Sequence, residues 1–157
     1  MKKKIILLIS SYIIVFVLGL GLGIYLLPIL TSPKSVNIDK IIKLEKNALY
    51  KTVFVRDLKG SDLFHWGEAD VSMSKNEIIV NGSIAPGPDY KLYLTKEFVE
   101  QEEEFLSIKD NSRYVAEVKT FKNFVITVPE DIDINDYNTI VIWCESFSEF
   151  ITAAKYK

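Results

Sequence analysis

The spacing of hydrophobic positions changes twice along this chain. From Ile5 to Leu30 they are nearly continuous, 26 residues without a single charge. As a helix rising about 1.5 Å per residue the run would span about 39 Å, more than the ~30 Å hydrocarbon layer of a bilayer. Tilt absorbs the excess. The run is longer than the roughly 7–15-residue apolar region of a secretory signal peptide. Pro28-Ile29-Leu30-Thr31-Ser32-Pro33 offers no good small-x-small cleavage site. One uncleaved transmembrane helix is therefore predicted over residues 5–30.

Beyond a polar exit containing Pro33 and Lys34, the period becomes helical for a short distance. Ile38, Ile41, Ile42 and Glu45 share one face, which predicts a short juxtamembrane helix or stalk within residues 31–49. From Tyr50 the period falls to two. Lys51–Val55, Glu68–Met73, Glu77–Val80, Tyr90–Leu94, Arg113–Val118, Phe124–Val128, Thr139–Cys144 and Glu149–Ala154 all read as strands. Seven or eight short strands separated by turn signals predict an all-β domain over residues 50–157, an antiparallel sandwich or barrel-like sheet.

The connections carry their own signals. Ser74-Lys75-Asn76 is a turn, and Asn81-Gly82 reads as another; Asn81-Gly82-Ser83 also fits a glycosylation acceptor. In Ala85-Pro86-Gly87-Pro88-Asp89 two prolines fix φ, and Gly87 permits a positive φ between them, setting the angle of the strand that follows. The glutamates at 97, 100, 102, 103 and 104 predict one or two helical turns between Thr95 and Phe105, with Thr95 as N-cap. Their carboxylates form a solvated face.

Charge fixes the expected orientation. Lys2, Lys3 and Lys4 precede the span, and the positive-inside rule keeps residues 1–4 cytoplasmic. The rest lies outside a cell membrane crossed once. Of 19 basic residues, three belong to that tail; the remainder against 21 acidic ones leaves a net charge of about −5. Such a surface excludes nucleic acid as a partner and argues against electrostatic docking on anionic lipid. Gly19 and Gly23 have the small-xxx-small spacing that lets two helices approach as a homodimer.

Candidate chemistry is sparse. The one cysteine, Cys144, ends the apolar run Thr139–Cys144 and has no partner for an internal disulfide. It is either a small hydrophobe in a core or a thiol with chemistry of its own. Ile140, Ile142 and Cys144 alternate with Val141 and Trp143, so both faces of this strand are apolar, as in a central strand covered on both sides. The following Glu145-Ser146 puts the thiol at the strand end, where solvent or a partner can approach.

The one histidine, His65, lies among aromatics in Phe64-His65-Trp66, as a ligand, an acid–base group or a packed ring. If it meets Cys144 in space, it lowers the thiol pKa. One His and one Cys do not make a structural zinc site. They require no cofactor and do not exclude haem, which needs one or two axial ligands. Asp131–Asp136 begins like a calcium loop but has Asp136 where glycine is required and Ile142 where glutamate is required, so no metal site is expected. No nucleophile–base–acid set and no phosphate loop is present, so the chain does not read as an ordinary enzyme.

Taken in order, His65-Trp66-Gly67-Glu68-Ala69, Gly87-Pro88-Asp89-Tyr90-Lys91-Leu92-Tyr93-Leu94, Tyr137–Cys144, and Phe147 and Phe150 before Ala153 resemble the DM13 domain family, from about residue 54 to 156. The resemblance implies an extracellular all-β domain, often tethered to a membrane, with a proposed electron-transfer or redox role at the cysteine that Cys144 matches. Attached cytochrome or DOMON modules, which such domains often carry, are absent from this sequence, so an electron donor must come from elsewhere. The leading expectation is a membrane-anchored redox module acting through Cys144, with an envelope protein or redox partner. The alternative is a non-catalytic binding or structural module of the cell envelope, using Trp66, Tyr90, Tyr93, Tyr114 and Tyr137.

Overall fold

The charge-free run forms one helix, α1 (Lys2–Thr31), with no buried residue and with Pro28 in its last turn. The computed structural model describes residues 2–157. α1 is the one helix among them long and apolar enough to cross a membrane. Gly19 and Gly23 face open space.

The helical pattern after Pro33 is realised as α2 (Ile38–Leu44), capped by the Asn37 side chain accepting from Asp39 N–H at 2.8 Å. Ile41 is its one buried residue. The segment runs along the outside of the domain: Val36 N–H donates to Asn123 O, and Leu49 N–H to Met73 O.

Eight strands follow: β1 (Tyr50–Phe54), β2 (Gly67–Met73), β3 (Glu77–Ile84), β4 (Tyr90–Thr95), β5 (Arg113–Val118), β6 (Lys122–Thr127), β7 (Thr139–Cys144) and β8 (Glu149–Lys155). They make two four-stranded antiparallel sheets, ordered β1-β2-β3-β6 and β5-β4-β7-β8. Inward side chains of both sheets, among them Phe54, Val71, Ile78, Val80, Leu92, Leu94, Ile140, Ile142 and Ile151, fuse into one core. Burial of this kind is worth about 1.5–3 kcal/mol per large apolar side chain. Thr52 Oγ1 donates to Lys155 O, bringing β1 to β8 along one seam. The β domain is thus a sandwich drawn towards a barrel; with its helices included, the whole chain mixes helix and sheet rather than being all-β.

The second sheet is covered on its outer face as well. Leu58, Val99 and Phe105 pack on Tyr93, Val141, Trp143, Phe150 and Ala153. β7 is consequently buried at every position, as its double-faced apolar pattern requires.

Three local expectations are corrected. The helical turns begin later, at α3 (Glu102–Ile108), with Gln101 at the N-cap position. Thr95 is a buried β4 residue whose hydroxyl donates to Glu97 O instead. Asn81-Gly82 is not a turn between strands but a bulge inside β3, where the pairing with β6 shifts register. There Gly82 has φ +147°, and its N–H donates to Asn123 Oδ1 at 2.9 Å. Gly87 does not adopt a positive φ.

Candidate functional site

The alternation of β7 sends Cys144 inwards, to the end of the core between the sheets. Tyr90 is its direct partner in the β4–β7 ladder. The residue is 2% exposed. Cys144 nevertheless lines a pocket of about 300 Å³ that is open on one side. Tyr90, His65, Phe147 and Glu149 share that lining, and so do Gly21, Ile24 and Tyr25 of α1.

Local chemistry explains how the walls are held. Pro86, Gly87 and Pro88 form the β3–β4 connection along one side. A Cβ on Gly87 would lie 2.4 Å from Tyr90 Oη and 2.5 Å from two ring carbons, so the glycine makes room for the phenol. On the other side, Asp62 closes a tight turn. Its Oδ1 accepts from the N–H groups of Phe64 (2.6 Å) and His65 (2.7 Å), and its Oδ2 meets His65 Nδ1 at 2.9 Å. Burial pushes the Asp62 carboxyl up, but those hydrogen bonds outweigh it and hold the group below the usual carboxylate range. The imidazole is thereby fixed through Nδ1, and His65 is one of the residues lining the Cys144 pocket.

His65 and Cys144 thus come to one cavity, yet the thiol pKa moves opposite to the direction expected of a histidine contact. Burial pushes the Cys144 thiol up. The backbone N–H groups of Phe147, Asp89 and Ser146 pull it part of the way back down, and the Asp89 charge opposes them. Burial also raises Tyr90, and a negative charge on Cys144 raises it further.

On the opposite face of β7 lies a second polar group. Glu145 accepts from the Tyr93 hydroxyl and from Lys109 Nζ at 2.7 Å, and the ammonium also stands 5.4 Å from the Trp143 ring centroid. None of these residues lines the Cys144 pocket, and the cluster reads as a polar lock between α3's end and β7. Its pairing over dozens of residues left no local signal in the sequence.

Of the side chains around the pocket, only His65 and Cys144 carry nitrogen or sulfur donors. Among the described residues no three His, Cys, Asp or Glu side chains group closely enough to hold a metal ion. In the calcium-like stretch, Asp131 pairs with Arg113, and Asp133 accepts from Asn135 N–H at 2.9 Å. Of the five aromatics considered for a binding surface, Tyr90 and Tyr93 are buried and Tyr114 is exposed. Trp66 lies under the Arg56 guanidinium at 3.6 Å. Phe147, Glu149 and the α1 residues were not legible as pocket residues. Phe147 did appear in the family motif, and Tyr25 has the placement of an interfacial aromatic at a helix end.

No curated protein and no solved structure matches the chain. The sequence model of the family described as Electron transfer DM13 matches residues 57–156, a span running from the loop before the Asp62 turn through the end of β8. It takes in every β-domain residue of the Cys144 pocket and excludes α1. The chain belongs to the DM13 family.

Proposed function

We propose that the chain is a membrane-anchored, extracytoplasmic redox module whose working atom is Cys144 Sγ. One observation carries the reading: the residue that bears the only thiol lines a pocket with an open side, together with Tyr90 and His65. The electron-transfer description of the family supports it. The three lysines before α1 support a cytoplasmic N-terminus and a β domain outside.

Outside the cytoplasm a lone thiol has no internal cysteine to pair with, so its redox partner comes from elsewhere. With a peroxide, the Cys144 thiolate attacks one peroxide oxygen. The O–O bond breaks, an S–O bond forms, and the second oxygen leaves as hydroxide and is protonated to water. Sulfur gives up two electrons and becomes a sulfenic acid. A partner thiol then attacks that sulfur, releasing water and leaving a mixed disulfide. A second thiol attacks the partner's sulfur and frees Cys144 with its proton restored.

The raised thiol pKa keeps the resting sulfur protonated. The N–H groups of Phe147, Asp89 and Ser146 stabilise thiolate as it forms. His65, fixed by Asp62, is the imidazole available to exchange the proton. The test is labelling of full-length protein by a sulfenic-acid probe after peroxide. Wild type is expected to take the probe and Cys144→Ser to refuse it; an unlabelled wild type refutes the reading.

A further inference from the structure

The turn closed by Asp62 lifts two apolar side chains away from the domain. Leu63 is 81% exposed and Phe64 59%. Their turn is built firmly: Asp62 N–H donates to His65 O at 2.9 Å, while the N–H groups of Phe64 and His65 are taken by the Asp62 carboxylate. With the N–H groups of Asp62, Phe64 and His65 already used, the tip loses less on leaving water than an open loop would. Phe147, 54% exposed, lies across the same pocket.

These residues share the end of the domain that carries Gly67, Ile84, Tyr90 and Cys144 with the end of α1. The Tyr25 ring meets Phe64 edge-on, with centroids 6.5 Å apart. With α1 upright and counted from Ile5, about 20 helical residues cross the ~30 Å hydrocarbon layer, which puts Tyr25 at the outer interface; any tilt carries Tyr25 and its neighbours deeper. Its contact with Phe64 sets the turn at the same depth.

We propose that Leu63 and Phe64, with Phe147, seat this end of the domain in the outer leaflet of the bilayer that α1 crosses, so that the Cys144 pocket opens at the lipid–water boundary. The inference rests on α1 being the membrane anchor. The contact is apolar rather than electrostatic, in keeping with the acid-rich outer sequence. The Asp62 carboxylate and the Arg56 guanidinium over Trp66 hold the depth at the headgroups, where tryptophan and tyrosine are favoured. A reactant that enters this mouth approaches Cys144 along the membrane surface.

Full-length protein in phosphatidylcholine vesicles tests this with nitroxide labels in a Cys144→Ser background, or Cys144→Ala should the serine variant fold poorly. Labels enter through Leu63→Cys and Phe64→Cys. Val15→Cys provides the reference within the span and Lys75→Cys that on the β2–β3 turn at the far end. The readout is collision with oxygen relative to a water-soluble nickel chelate. The tip labels are expected to give ratios several-fold above Lys75→Cys, nearer Val15→Cys. Tip ratios equal to that of Lys75→Cys, with Val15→Cys in lipid, overturn the docking and leave the anchor standing. A water-like ratio at Val15→Cys overturns the anchor and the docking with it.

Discussion

Tyr90 faces Cys144 across the β4–β7 ladder, so the thiol and the phenol share one end of the core. Each is pushed towards its neutral form by burial, and charge on the sulfur would further oppose charge on the phenol. The resting site is uncharged at these two atoms.

Burial sets the pH profile of the thiol. Alkylation needs thiolate, so its rate in native protein should rise along a curve centred above that of an ordinary cysteine. Urea-unfolded protein should shift the curve down to the ordinary value. A native midpoint at or below the unfolded one contradicts the burial argument.

The buried phenols make the fold sensitive to alkali. Burial is the leading cause that raises Tyr90, Tyr93 and Tyr156. A raised acid favours the protonated form in the folded state, so its contribution is complete below the unfolded value of about 10 and falls as pH climbs past it. Denaturant melts should show stability dropping from about pH 9 to about pH 11. Tyr156→Phe should flatten that drop, at a cost of about 1 kcal/mol for the hydrogen bond to Ile134 O.

Gly87→Ala should destabilise the domain by about 1–3 kcal/mol through overpacking against Tyr90. Adding Tyr90→Phe should not restore it, because ring carbons at 2.5 Å remain in the way. Adding Tyr90→Ala should remove the Gly87→Ala penalty, although that truncation costs stability itself. A double-mutant cycle on chemical melts reads the coupling.

The lock on the other face of β7 has an acid signature. Burial pushes Glu145 up, but hydrogen bonds from Lys109 and Tyr93 outweigh it and hold the carboxyl below its usual range. Its stabilising contribution is present above the unfolded carboxylate pKa of about 4.3 and lost as pH falls through the depressed folded value. Lys109→Met should cost about 1.5–3 kcal/mol at neutral pH and show a smaller loss on acidification. Equal acid sensitivity in both proteins would contradict the lock.

How much of this was legible follows from the range of each interaction. Short apolar or alternating runs between turn signals revealed the strands, because a half-buried strand writes its burial into adjacent residues, and β7 declared its two covered faces by an unbroken apolar run. Asn81-Gly82 misled because a bulge and a hairpin both call for a glycine conformation, and only the Asn123 side chain reaching from β6 distinguishes them. Thr95 resembled an N-cap, but the β4–β7 ladder retained it. For Gly87 the need is room for a ring three residues on, which no turn statistic encodes. At the site, Cys144 and His65 stood out by being single. The walls joining them come from α1, the Asp62 turn and the β7–β8 connection, brought together by folding alone.

The decisive measurement is the accessibility of the Cys144 thiol in native full-length protein held in bilayers. The account predicts reaction with a small uncharged thiol reagent without denaturation, and loss of that thiol under peroxide with recovery on adding reductant. A thiol that titrates only after unfolding, and that peroxide leaves untouched, would contradict it.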